Sequence, residues 1–171
     1  MQTLVAGQLV LEPLTVAHAE IMFEVLCDPE IYHYLDYPPP LSIEHLRDVY
    51  ARLEAQEWKS PDGKQRWLNW IVREPGHPPV GYVQATVGPP GTASIGFVFG
   101  SKHWGRGYAH AATRTMLEHL ATAYGVNRCL ATVEVANQRS IHLLERLAFR
   151  PATTRELADH TLTATEHLFV R

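Results

Sequence analysis

Apolar positions along the chain follow a helical spacing in some stretches and a strand spacing in others. Apolar side chains recur every three or four positions in residues 17–26 and again in residues 46–53, as on one face of a helix. Residues 67–72, 80–87 and 93–99 are rich in β-branched and aromatic side chains, and Pro/Gly segments separate them. The pattern therefore predicts two helices followed by three consecutive antiparallel strands.

The two ends of the chain complete the predicted order. Residues 5–14 read as a first strand, and the apolar face around Leu120 predicts a long helix that Gly125 ends. Beyond it we expect a strand over residues 129–135, a helix over 137–147 and a strand-turn-strand from Phe149 to 168–170. The order βααβββαβαββ predicts an α/β fold with α+β layering: a mixed, mostly antiparallel sheet with helices on both faces.

A tyrosine-rich stretch lies between the two early helices. Asp28-Pro29 stops the first of them, and residues 31–37 carry three tyrosines before a run of three prolines at residues 38–40. We expect a surface loop here. Its tyrosines either pack beneath the loop or shape a pocket for a cationic amine through their aromatic faces.

Size, charge and cysteine content narrow the function classes. With 171 residues the chain is expected to form one domain over residues 1–171. Its formal charge of −3 provides no global basic field for nucleic acid, and no segment approaches the length of a membrane span. Cys27 and Cys129 belong to no close-spaced Cys/His pair, so we expect no metal site, and a reducing cytoplasm fits best.

The segment after residue 99 carries the clearest chemical signal. A strand, a glycine-containing turn and a helix start follow one another, and the turn reads Trp104-Gly105-Arg106-Gly107-Tyr108-Ala109. Such an arrangement presents free main-chain N–H groups at the positive end of a helix dipole, where phosphate binds. By itself the motif is equally compatible with a plain tight turn, and it lacks the endings typical of NTP-binding and dinucleotide-binding loops.

This turn resembles the pyrophosphate loop of the GNAT acetyltransferases, whose fixed last positions Gly107 and Ala109 match. The variant with Trp104 in front is similar to the Rim-type branch, which contains ribosomal-protein N-terminal acetyltransferases. A second match follows in Asn137-Gln138-Arg139-Ser140 and in residues 144–149, with Ala148 where the branch usually has Gly. The likeness covers nearly the whole chain and implies a GNAT-like fold.

The resemblance implies acetyl-CoA as the cofactor, with CoA as product. Its pantetheine arm is then expected along the main chain of Phe97, Val98 and Phe99, in the gap between two splayed strands. Its pyrophosphate is expected on the loop from Trp104 to Ala109, which includes Gly105, Arg106, Gly107 and Tyr108. Asn137 is expected to hydrogen-bond the cofactor arm, and Ser140, one helical turn later, to face the same cleft.

Acetyl transfer to an amine requires an oxyanion stabiliser, a proton donor and a proton acceptor. Main-chain amides of the splayed strand suit the first role, and Ser140 is the candidate donor. Many members of the family carry Glu directly before Ile-Gly on the fourth strand, where this chain has Ser94 as the candidate catalytic position. The base is therefore Asp36, His103 or Glu134, or water serves an amine whose pKa is already near neutral.

The acceptor is expected between residues 32–40 and residues 155–163. It is either a protein N-terminal α-amine or a small-molecule amine, and we expect the protein to act as a monomer or homodimer. The replacement at Ser94 leaves one alternative class open: a catalytically weak acyl-CoA-binding sensor or interaction module.

Overall fold

The computed structural model describes residues 1–88, 90–158 and 160–171. The strands are β1 (Leu4–Ala6), β2 (Leu9–Pro13), β3 (Arg66–Arg73), β4 (Pro79–Gly88), β5 (Thr92–Phe99), β6 (Arg128–Glu134), β7 (Arg150–Pro151) and β8 (Glu166–Val170). The helices are α1 (Ala19–Leu26), α2 (Ile43–Ala55), α3 (Tyr108–Tyr124), α4 (Gln138–Arg146) and the short α5 (Thr154–Leu157). Three 3₁₀ helices cover Val16–His18, Pro29–Tyr34 and Ser101–His103.

The eight strands form one sheet in the order β1-β2-β3-β4-β5-β6-β8-β7. All neighbours pair antiparallel except β5 and β6, which run parallel. The predicted α/β fold with a mixed, mostly antiparallel sheet is thus confirmed. In the described parts of the chain, no helix combines the length and apolarity needed to cross a membrane.

Helices cover both faces of the sheet, because apolar side chains on each strand alternate between them. On β3, Trp70 packs with buried side chains of α3 and α4, while its neighbour Ile71 packs with α1 and α2. On β5, Phe99 belongs to the core cluster on the α3 face, and Val98 belongs to the cluster on the α1 and α2 face. This period-two alternation fixes the register of the sheet, since a slip of one residue would reverse every side chain.

The parallel pairing of β5 with β6 is short. Only Thr92, Ala93 and Ser94 pair, with Arg128, Cys129 and Leu130 respectively. Beyond Ser94 the two strands diverge, so the rest of β5 has β4 on one side and no ladder partner in β6 on the other. The sheet therefore contains an open gap at the end of β5, as the family resemblance implied.

Two local predictions were wrong. The predicted first strand is a hairpin of β1 and β2, with Gly7 in the left-handed region at the turn, φ 64°. The buried residues are even-numbered in β1, Leu4 and Ala6, and odd-numbered in β2, Leu9 and Leu11. This change from even to odd positions marks the turn between the two strands. The expected surface loop over residues 31–37 begins instead within a 3₁₀ helix that buries Ile31.

Candidate active site

A cleft of about 320 Å³ opens where β5 and β6 diverge. Four segments line it: the 3₁₀ helix at Pro29–Tyr34 with the residue that follows it, the end of β5, the turn into α3, and the first turns of α4. Its lining residues are Glu30, Ile31, Tyr34, Leu35, Phe97, Val98, Phe99, His103, Trp104, Gly105, Gly107, Tyr108, Ala109, His110, Asn137, Arg139, Ser140, His142, Leu143 and Arg146. Nearly all residues expected to bind the cofactor are therefore brought together here.

The turn before α3 has the backbone of an anion site. Gly105 and Gly107 have φ of 78° and 80°, a left-handed conformation that side chains with a Cβ disfavour. A Cβ at either position would meet no atom within 4 Å, so the backbone conformation, rather than crowding, requires glycine. Gly107 is the N-cap of α3 and offers no side chain to its first amides. These amides are left for a ligand at the positive helix end.

Trp104 connects the end of β5 to α4. Its indole Nε1–H donates to the carbonyl oxygen of Phe99 at 2.7 Å. The guanidinium carbon of Arg139 lies 3.7 Å from the centroid of the Trp104 ring, a cation–π contact. Trp104 thus takes the carbonyl of Phe99 on the open side of β5. The main-chain groups of Phe97 lie on the same side and face no strand, whereas the carbonyl of Val98 points to β4.

Asn137 and Ser140 lie one turn apart at the start of α4, and both line the cleft. The Asn137 side chain caps the helix, because its Oδ1 accepts from the Ser140 amide at 3.1 Å. Its amide nitrogen remains the group that could donate to a ligand. Within the described residues the Ser140 hydroxyl has no hydrogen-bond partner.

The residues predicted as bases do not all reach the cleft. Ser94 is exposed on β5, three residues before the lining begins, and Asp36 is exposed and outside the lining. Glu134 also lies outside it and accepts from the Thr165 hydroxyl at 3.4 Å. Arg106 is exposed beside the turn rather than in the lining. Of the named base candidates, only His103 lines the cleft.

His103 has the surroundings of a neutral imidazole. Burial lowers its pKa below the usual value, and the nearby positive charges of Lys102 and Arg106 lower it further, against a smaller opposing effect of Glu74. Within the described residues its Nδ1 is buried without a hydrogen-bond partner. His103 can therefore accept a proton at neutral pH, although its place in the turn puts it beside the anion site.

Glu30 is the carboxylate that sequence reasoning missed. It is the one Asp or Glu among the described residues that line the cleft, and its side chain is 58% exposed. Asp28 caps this 3₁₀ helix by accepting from the Glu30 amide at 3.1 Å, with Pro29 in the first position. Asp-Pro-Glu is a common way to begin a helical turn, and that signal could have located Glu30.

The tyrosines of the same segment have separate environments. Tyr32 donates its hydroxyl to the carbonyl of Leu26 at 2.7 Å, and burial raises its pKa to about 12. Tyr37 shares a hydrogen bond of 3.0 Å with the hydroxyl of Tyr82. Tyr34 alone of the three lines the cleft, and it is 44% exposed. Packing therefore accounts for Tyr32 and Tyr37.

The second segment expected at the acceptor side lies away from the cleft. α5 overlaps the start of residues 155–163, and its Glu156 accepts hydrogen bonds from both terminal guanidinium nitrogens of Arg150. Asp159, in the same stretch, lies outside the described residues. No described residue of this segment lines the cleft. Nor do the described residues contain a group of three or more His, Cys, Asp or Glu side chains arranged to hold a metal ion.

Comparison with known proteins agrees with this geometry. Residues 8–150 match the family model described as an acetyltransferase (GNAT) domain. The chain is 29% identical over 156 residues to the uncharacterized N-acetyltransferase p20 of Bacillus licheniformis, covering 88% of this chain and 83% of that protein.

Two solved structures share the fold at low sequence identity. One is RimL, a ribosomal L7/L12 alpha-N-protein acetyltransferase in complex with coenzyme A, with a TM-score of 0.81, 16% identity and coverage of 99% and 97% of the two chains. The other is a spermidine N-acetyltransferase from Vibrio cholerae in complex with CoA and spermine, with a TM-score of 0.77, 16% identity and coverage of 96% and 95%.

Proposed function

The chain belongs to the GNAT acetyltransferase family and is an acetyl-CoA-dependent N-acetyltransferase, and on that premise we propose that it acetylates a primary amine by direct attack within a ternary complex. The alternative of a non-enzymatic acyl-CoA sensor is set aside, because both the family and the curated relative are acetyltransferases. We further propose which residues carry out the reaction and which class of acceptor amine binds.

The cleft fits acetyl-CoA in two places. The free amides around Gly107 and the left-handed turn suit a pyrophosphate, and no Cβ fills the space beside Gly105. The open side of β5 at Phe97 suits an extended arm that hydrogen-bonds like an added strand. Bound there, acetyl-CoA supplies the activated acetyl group.

The oxyanion and the leaving sulfur are served by different elements. Main-chain amides on the open side of β5 stabilise developing negative charge, since they are fixed before the reaction. The hydroxyl of Ser140, which has no competing partner among the described residues, donates a proton to the departing thiolate and is reprotonated from solvent, which also receives the proton that the amine loses. Asn137 sets the position of Ser140 by capping α4 at 3.1 Å.

The acceptor amine must lose its proton before it attacks. No described carboxylate is buried in the cleft, and Glu30 is largely exposed. An amine with a pKa near 8 is partly neutral at physiological pH and can release its proton to water. The relatives act on both acceptor types: RimL on an α-N-protein terminus, and the Vibrio cholerae enzyme on spermidine.

The divergence of β5 and β6 after three paired residues carries this proposal, because it opens the gap that a ternary complex needs. The test is release of CoA thiol from acetyl-CoA with N-terminal peptides and small amines, together with initial-rate kinetics over both substrates. Intersecting double-reciprocal lines support direct attack. Parallel lines, or an acetylated enzyme seen by mass spectrometry, would contradict it.

A further inference from the structure

The described lining of the cleft holds one carboxylate and several basic side chains, and from this imbalance we infer the acceptor class. We propose that Glu30 and Tyr34 form an acceptor subsite for a primary amine with a single positive charge next to an apolar group. The inference rests on the proposed function and selects among its acceptors.

Charge is the first argument. Glu30 can pair with one ammonium group, whereas the other ionisable residues of the lining are Arg139, Arg146, three histidines and two tyrosines. The phosphates of bound acetyl-CoA neutralise positive charge near the anion site. They provide no second negative group beside Glu30. A second or third ammonium of a polyamine would therefore lack a partner and meet positive side chains.

Apolar surface is the second argument. Ile31 and Leu35 line the cleft on either side of Tyr34, so the helix that carries Glu30 presents an apolar wall next to its carboxylate. A hydrocarbon or aromatic group attached next to the amine would bury apolar area there.

The third argument is that no carboxylate among the described lining residues is buried as a base. Because Glu30 is exposed and Ser94 replaces the family's usual glutamate, an acceptor that is already partly neutral has an advantage. The α-amines of peptides and amino-acid amides meet this condition, since their pKa lies about 2.5 units below that of an alkyl ammonium such as lysine's. A free α-amine followed by an apolar side chain satisfies all three arguments.

The experiment compares kcat/KM for four acceptors: phenylalaninamide, a tetrapeptide beginning with Phe, n-butylamine and spermidine. We expect phenylalaninamide, the peptide or both to exceed spermidine by at least about tenfold, a difference of about 1.4 kcal/mol. The higher kcat/KM of these two acceptors shows whether the preferred α-amine belongs to a peptide or to a small molecule. A preference for spermidine or butylamine overturns the inference and leaves the proposed function intact.

Variants test the named residues. Glu30→Gln should raise the acceptor KM about fivefold without changing the KM for acetyl-CoA, as expected for an exposed charge pair. Glu24→Gln, an equally exposed change on α1 outside the cleft, is the matched control. Tyr34→Ala should remove the preference for phenylalaninamide over butylamine. If Glu30→Gln and Glu24→Gln behave alike, Glu30 is not the recognition residue; if no amine releases CoA thiol, the proposed function fails as well.

Discussion

Asp28 accepts a hydrogen bond from the main-chain amide of Ser101, with 2.6 Å between its Oδ2 and the amide nitrogen, across 73 positions of sequence. Its other oxygen caps the helix that carries Glu30 and Tyr34. Ser101 begins the segment that leads from β5 into the anion site. One carboxylate therefore joins the 3₁₀ helix that carries Glu30 and Tyr34 to the turn that leads into α3.

Replacing Asp28 should loosen that connection. Asp28→Ala removes a charge-assisted hydrogen bond and a helix cap, so we expect a loss of about 1–3 kcal/mol in the free energy of unfolding. We also expect a higher acceptor KM, because Glu30 and Tyr34 are no longer fixed. Urea unfolding and steady-state kinetics measure the two effects. Asp48→Ala, at an exposed position of α2, should change neither.

Ser140→Ala tests the proton donor. The cap of α4 should persist, because Asn137 accepts from the main-chain amide of Ser140. We expect kcat to fall about a hundredfold or more, in the range typical of general acid catalysis, with little change in acetyl-CoA affinity. Turnover and isothermal titration of CoA measure this difference. Thr122→Ala, an exposed hydroxyl on α3, serves as control, and undiminished turnover in Ser140→Ala would refute the assignment.

Gly107→Ala tests the anion site. With φ of 80°, alanine should cost about 1 kcal/mol of stability and displace the first amides of α3. We expect a several-fold higher KM for acetyl-CoA. Gly63 has φ of 71° in a turn outside the cleft, and a Cβ there also meets nothing within 4 Å. Gly63→Ala should therefore lose similar stability with no change in KM, and equal kinetic effects would contradict the assignment.

Gly81→Ala tests the packing of β4 on β5. A Cβ at Gly81 would lie 2.2 Å from the carbonyl oxygen of Val98, a main-chain atom that cannot move alone. We expect a loss of at least about 2 kcal/mol, since the strands must separate where the cleft begins. Gly88→Ala, on the same strand, meets its nearest atom at 3.9 Å. Equal denaturant midpoints for the two variants would contradict this prediction, because the strands would then accommodate the methyl group without loss of stability.

Glu156 should make stability depend on acid pH. The two hydrogen bonds from Arg150 hold the pKa of this carboxyl far below its usual range, with further support from the Thr153 amide and hydroxyl. A lowered pKa adds stability above the ordinary value of about 4.3, and that stability is lost as the pH falls toward the folded-state pKa. Glu156→Gln should be less stable than the parent at pH 7, and the difference should begin to narrow as the pH falls below about 4. A constant difference in urea midpoints would contradict this.

Local pattern was sufficient for most of the fold. Gly125 ends α3 in a left-handed conformation, as its position after the last apolar turn predicted. The hairpin at Gly7 was not predicted because Val5 and Val10 are apolar although they lie on the outer face. They hide the change from even-numbered to odd-numbered buried positions. The 3₁₀ helix at Pro29–Tyr34 was missed because Asp28-Pro29 ends one helical element and begins the next.

That residues 97–99 and most residues of the turn from Trp104 to Ala109 would line one cleft was predictable, since they are close in sequence and carry a recognisable motif. The acceptor side was not. Glu30 lies at the cleft on a helix that Asp28 ties to Ser101, and no local pattern encodes this contact across 73 positions. Asp36, one of the three candidate bases, is exposed and lies outside the lining of the cleft.

The three-residue pairing of β5 with β6 also bears on how the protein unfolds. β1 to β5 are sequential antiparallel neighbours within residues 4–99, whereas β6, β7 and β8 pair among themselves within residues 128–170. Three residue pairs join the two parts of the sheet, and one core cluster spans both. We expect the shorter part, with the weaker connection, to open as its own unit. In native-state hydrogen exchange, β6 and β8 should open together at a lower free energy than β3 and β4.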